Sequence, residues 1–131
     1  MSDEQVDESM VRADRWSKVI ALFVAIGLFL LGGQLIEDPQ FNMVTAAFVG
    51  IGVRLYVPYH ASITVARRDE PIQEYADTGN YHHGAVGAGL VVFSLVAFLA
   101  MTIDPAFWQA LAVGAAAGLV SVLVLRGVLP G

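Results

Sequence analysis

Residues 85–125 read AVGAGLVVFSLVAFLAMTIDPAFWQALAVGAAAGLVSVLVL, and one residue in that stretch, Asp104, is charged. Ala85–Ile103 is a run of 19 residues without a charge, and Ala106–Leu125 is a run of 20 with Gln109 near its start. A hydrocarbon core of about 30 Å needs about 20 helical residues. Each run is therefore long enough to cross a bilayer, and the Asp-Pro between them leaves room only for a tight return. Spanning strands would alternate in polarity over short segments, and these runs do not alternate.

Two more runs lie upstream. Val19–Ile36 is 18 residues, with Gln34 its one clearly polar member. Phe41–Ala66 is longer but carries Arg54, Pro58 and His60, and it yields a span over about 39–59. The reading is all-α: an integral membrane bundle of four transmembrane helices, at about 19–36, 39–59, 85–103 and 106–125. Residues 1–18 form an acidic polar tail, too polar to bury a core and expected as a disordered segment or a short surface helix. Its acidic start does not resemble a secretory signal. The transmembrane domain occupies 19–126, with a polar loop at 67–83.

Composition agrees. Of 131 residues, 56% are hydrophobic and 15% charged, with mean hydropathy +0.65. Soluble domains carry about 25% charge. The apolar content excludes general disorder, and the length left outside the runs excludes a large soluble catalytic domain. The absence of cysteine excludes disulfides, zinc–thiolate and iron–sulfur sites and thiol nucleophiles. Seven basic residues against twelve acidic ones give a net charge of −5, which offers no basic stripe for nucleic acid. Six of the seven bases are Arg, and acid-rich, Lys-poor composition suits hydration in strong brine.

The bases orient the spans. Arg12, Arg15 and Lys18 precede the first, Arg67 and Arg68 follow the second, and Arg126 follows the fourth. The other two loops hold Glu37, Asp38 and Asp104 and no base. With four spans every flanking base falls on one face, and the positive-inside rule makes that face cytoplasmic, or the interior of a vesicle, with both termini there. Three spans would place Arg126 opposite the rest, so the pattern supports an even count.

The two loops on the other face share Asp-Pro-x-Phe, at Asp38–Phe41 and Asp104–Phe107. Asp accepts hydrogen bonds from free N–H groups at a helix start, and Pro at the first helical position loses nothing. Asp38 and Asp104 are thus expected to cap helices beginning at Pro39 and Pro105. The two Phe, with Trp108, are expected at the interfacial level. Two independent tight turns explain the echo more simply than a duplication, which would make two parallel hairpins.

Small residues recur every four positions: Ala106, Ala110, Gly114 and Gly118 on the last helix, Ala85 and Gly89 on the third, Ala46 and Gly50 on the second. Small residues at this spacing let helix backbones approach closely. Gly114 and Gly118 form the packing seam of the last helix. It is read as packing within the bundle, which must be satisfied before any seam between copies.

Arg54 is the one charge inside these spans. Such a charge costs about 2.5–3.5 kcal/mol at the bilayer centre and is by default a functional hypothesis. It lies about 22 Å from Pro39 at 1.5 Å per residue, one to two turns from the basic face. These spans contain no Asp or Glu to pair with it, so its guanidinium is expected to reach headgroup phosphates or the carbonyl freed by Pro58. The rival use is an anion or proton pathway. His60, His82 and His83 fall near the same face and, with Glu74, Asp77 and Tyr81, offer a weak metal or haem site. Their spacing lacks a metal motif, and interfacial side chains among Tyr56, Tyr59, Tyr75 and Tyr81 are the simpler reading. No P-loop, Gly-x-Gly-x-x-Gly after a strand or Gly-x-Ser-x-Gly occurs.

Small multidrug transporters also have four spans, but they need a membrane-embedded Glu in the first, and Val19–Ile36 has none. The acidic start (Asp3, Glu4, Asp7, Glu8), Arg over Lys, and Ala/Val/Gly-rich spans resemble small membrane proteins of haloarchaea. Among these the chain is similar to the four-span internal membrane proteins of haloarchaeal pleomorphic viruses. The likeness covers the whole chain in size, span count and composition and transfers no functional residue. It implies a non-enzymatic structural or accessory protein, without cofactor, whose partners are the lipid bilayer and itself or other membrane proteins. The alternatives are a small transporter or channel using Arg54 and a metal- or haem-binding subunit of a membrane redox complex.

Overall fold

The computed structural model describes the backbone at residues 3–69 and 81–129, and the side chains at 8, 11–61 and 83–129. Four helices follow one another: α1 (Asp3–Leu35), α2 (Pro39–Asp69), α3 (Tyr81–Ile103) and α4 (Phe107–Val128). Each contains a stretch long and apolar enough to cross a bilayer: Val11–Leu35, Pro39–Ala61, His83–Ile103 and Phe107–Val128. The all-α, four-span reading is what the structure shows.

Two helices run further than their apolar content predicts. Helix α1 continues back through the acidic segment to Asp3, so no break separates a tail from the first span. The reason is visible in its buried stripe. Ser17, Ala21 and Gly32 are buried, and Asp14, Ala25 and Leu28 are half-buried. The intervals from Asp14 to Gly32 are three or four residues, which is one helix face. That face starts inside the polar segment. Helix α2 likewise passes through Pro58 and on to Asp69. The loop at 67–83 lies mostly outside the described residues.

Among the described residues, each helix packs chiefly on its neighbours in sequence: α1 on α2, α2 on α3, α3 on α4. Glycine sets the separations. A methyl group built on Gly52 would lie 2.6 Å from the carbonyl oxygen of Gly87, and one on Gly87 would lie 2.7 Å from the carbonyl oxygen of Gly52. Those backbones touch. Gly114 and Gly118 do the same work between α4 and α3, where added methyls would lie 2.6 Å from the Phe93 carbonyl and 2.8 Å from the Gly89 carbonyl. The Gly114–Gly118 seam is therefore filled from within the chain. Ala110, Gly114 and Gly118 are the buried residues of α4, while Leu119, Val120, Leu123 and Val124 are exposed. A surface of that kind suits lipid, not water.

The helices converge at the end that carries the two short turns. Ile36, Phe41, Ala97, Phe98, Met101 and Ala110 form a buried cluster there, extended by Leu28, Ala100, Phe107 and Leu111. Phe41 and Phe107 meet edge to face, with ring centroids 5.7 Å apart. Phe41 is fully buried, so at that end of the bundle its ring packs against the other helices and does not face outward. Trp108 is exposed, as an interfacial residue would be.

The capping expectation holds at one turn and fails at the other. Asp38 Oδ1 accepts a hydrogen bond from Phe41 N at 3.0 Å, and the Asp38 carbonyl accepts the first helical bond, from Asn42 N. Asp38 is the cap of α2. Asp104 does not cap α4, which begins two residues after Pro105's neighbouring aspartate would require. The cap position is Ala106, with no side-chain bond. Asp104 is engaged through its backbone, its N–H donating to Ala100 O and its carbonyl accepting from Ala106 N. Both links are three residues long, but the aspartate ends the first and begins the second. The shared motif thus takes two local structures. Asp38→Ala should lower stability by about 0.5–2 kcal/mol, and Asp104→Ala by less than about 0.5 kcal/mol. Chemical or detergent unfolding of the two variants checks the asymmetry; equal losses would contradict it.

Candidate functional site

Arg54 has an acidic partner, which corrects the expectation that it would find none. Its Nη1 donates to Asp14 Oδ1 at 3.2 Å, to Ser17 Oγ at 3.0 Å and to the Asp14 carbonyl at 3.4 Å. Asp14 and Ser17 both fall inside Val11–Leu35, and Arg54 inside Pro39–Ala61. The error lay in starting the first span at Val19, where hydropathy rises, and so leaving Asp14 in the tail. The signal was present: Asp14 is on the same helix face as Ala21 and Ala25, the face that meets α2.

Local structure prepares the contact. Ser17 is fully buried, and its hydroxyl donates to the Asp14 carbonyl at 2.6 Å, so its oxygen lone pairs point away to receive Arg54. Gly50, one turn from Arg54, faces Ala25 and the Ala21 carbonyl. Small residues there bring α1 and α2 close enough for the guanidinium to reach. Asp14 is shared further: Lys18 Nζ lies 3.6 Å from its Oδ2. The Arg54 and Asp14 side chains are 41% and 46% exposed, so the pair resembles a surface ion pair, worth at most about 1 kcal/mol in water. In a membrane its larger consequence is to balance the cation's charge near the interface.

The other buried polar groups are used locally. Thr45 Oγ1 donates within α2, to Phe41 O or Asn42 O at 3.2 Å, and Ser94 Oγ donates to Leu90 O at 3.0 Å. Asn42 Nδ2 donates to the Ile36 carbonyl at 3.1 Å, while its buried Oδ1 has no hydrogen-bond partner among the described residues.

The histidines are partly described. Tyr59, fully buried, packs its ring on Gly84, so the end of α2 meets the start of α3. His60 and His83 neighbour that contact in sequence, and both are exposed. His60 stacks at a tilt on Tyr56, with centroids 5.8 Å apart. The side chain of His82 lies outside the described residues, as do Glu74, Asp77, Tyr75 and Tyr81. Among the described residues no three His, Asp or Glu side chains gather as metal ligands would.

Comparison with known protein families finds no match, and neither does comparison with curated proteins or with solved structures. The class therefore rests on the molecule itself. Four helices of membrane-crossing length, with apolar outer faces and glycine-lined contacts between them, make the chain a multi-pass integral membrane protein.

Proposed function

We propose that the chain is a non-enzymatic structural or accessory component of a bilayer, with the face bearing Arg67, Arg68, Arg126 and both termini toward the cytoplasm or a vesicle interior. The observation that carries this reading is the use of Arg54. Its Nη1 is held by Asp14 and Ser17 on the neighbouring helix, and the buried hydroxyls of Thr45 and Ser94 bond their own helices. A transport path would need polar groups facing a shared route. The resemblance to the internal membrane proteins of haloarchaeal pleomorphic viruses supports the more specific proposal of a vesicle-lining protein of a halophilic virus.

Three experiments test it. Reporter fusions at residues 1 and 131 should agree with each other and differ from fusions near Asp38 and Asp104. In sealed vesicles of native orientation, trypsin should spare Arg67, Arg68 and Arg126 until detergent is added; cleavage in intact vesicles would overturn the orientation. For the role of Arg54, wild type and Arg54→Leu should both insert and neither should pass anions. The variant should lose at most about 1 kcal/mol of stability, because Asp14, the charge it abandons, is half-exposed and keeps Lys18 beside it, while the Ser17 hydroxyl still bonds the Asp14 carbonyl. Flux that requires Arg54 would replace the structural reading with a transporter.

A further inference from the structure

A groove of about 430 Å³ lies between α1 and α2, lined by Ala21, Ala25, Ala47 and Gly50 among others, with Lys18 and Arg54 in its wall. The two cations sit at the end nearest the basic face. From Arg54 to Ala46, another lining residue, the groove descends about 12 Å at 1.5 Å per residue. That is most of one leaflet's share of a core about 30 Å thick. Small side chains leave the space open, and among the described residues α1 packs chiefly on α2, so in a bilayer the groove faces lipid.

The charges select among lipids. Asp14 supplies one negative charge to two positive groups, Arg54 Nη1 at 3.2 Å and Lys18 Nζ at 3.6 Å. One positive charge is left over. Among the described residues every bond of Arg54 is made by Nη1, so Nε and Nη2 keep their donors, in the forked arrangement that suits a phosphate. The Lys18 side chain is 59% exposed. A zwitterionic headgroup brings its own cation, which the surplus charge repels, whereas an anionic headgroup neutralises it. Basic pockets between membrane helices recognise anionic headgroups in this way.

We propose that this groove is a binding site for an anionic phospholipid of the leaflet at the basic face, its phosphate on Lys18 and Arg54 and one acyl chain along Ala21, Ala25, Ala47 and Gly50. The site rests on the membrane reading above and makes it specific: the protein holds a selected lipid at its first hairpin.

The test uses the full chain in phosphatidylcholine vesicles containing a small share of spin-labelled phosphatidylglycerol or spin-labelled phosphatidylcholine. The fraction of motionally restricted label reports lipid held by the protein. Wild type should prefer phosphatidylglycerol by about fivefold, the factor one basic residue near a surface contributes. Lys18→Gln, which leaves the Arg54–Asp14 pair in place, should reduce the preference to less than about twofold. Ala47→Leu, which fills the groove without changing charge, should lower restricted phosphatidylglycerol with the unfolding midpoint unchanged. Arg126→Gln, away from the groove, should change nothing. No preference in wild type, a preference indifferent to both Lys18→Gln and Ala47→Leu, or displacement by inorganic phosphate would overturn the site. A chain that restricts phosphatidylcholine and phosphatidylglycerol equally fails the site alone. One that restricts neither fails the membrane reading with it.

Discussion

Replacing Asn42 by Asp should cost about 3–5 kcal/mol at neutral pH, the range for leaving a buried charge without compensation. Asn42 is 3% exposed, and its Nδ2 donates to the Ile36 carbonyl across the turn from α1 to α2. An aspartate has no donor there and would set a carboxylate against that carbonyl. Its other oxygen would gain nothing either. Among the described residues Oδ1 already lacks a hydrogen-bond partner, and it lies against Gly32, 2.5 Å from where a methyl on that glycine would sit. The missing side chain at Gly32 makes room for the amide and leaves its oxygen a Cα–H contact at best. Asn42→Leu should cost less, about 1–3 kcal/mol, because it orphans the Ile36 carbonyl without burying a charge. Equilibrium unfolding in mixed micelles should rank wild type above Leu above Asp. An Asp variant as stable as wild type would mean that the bond across this turn is dispensable.

The second large effect concerns the crossing of α2 and α3. Gly87→Ala should destabilise by about 1–3 kcal/mol, the cost of overpacking a site with no slack. The obstacle to the methyl is backbone, the Gly52 carbonyl at 2.7 Å and the Tyr56 N at 2.7 Å, and backbone cannot rotate aside. Gly52→Ala should cost a similar amount, for the reciprocal contact. The double variant should cost clearly less than the two losses added, since the first methyl has already forced the helices apart. Gly27→Ala and Gly33→Ala provide the comparison. A methyl at either meets nothing within 4 Å, so each should be neutral or stabilising by up to about 1 kcal/mol through helix propensity. Equal losses at Gly27 and Gly87 would show that chain stiffness, not helix contact, decides these positions.

Hydrophobicity is a property of composition along the chain, and so the four spans were legible before any coordinates. The tight turn at Asp38-Pro39 was legible for a similar reason, since capping involves a residue and its neighbour three positions on. The same local chemistry misled at Asp104-Pro105, where the aspartate's backbone is taken by the end of α3 and the helix starts at Phe107 instead. The shared motif does not distinguish the two cases, and their flanks differ: Glu37, Gln40 and Asn42 at the first turn stand where Ile103, Ala106 and Trp108 stand at the second. The Phe of each motif nonetheless reaches the same place, Phe107 against Phe41, 66 positions away in sequence.

What the sequence alone determined is that four stretches of the chain are long and apolar enough to cross a bilayer, and that its helices approach through glycine and alanine. What the tertiary structure alone decided is which surfaces meet: Gly52 with Gly87, Gly118 with Gly89, and Arg54 with Asp14, 40 positions apart. A residue's transfer energy is set by its own side chain and can be summed along a window. A contact's energy depends on two helices being brought to within a methyl group of each other, and that distance is a property of the assembled bundle.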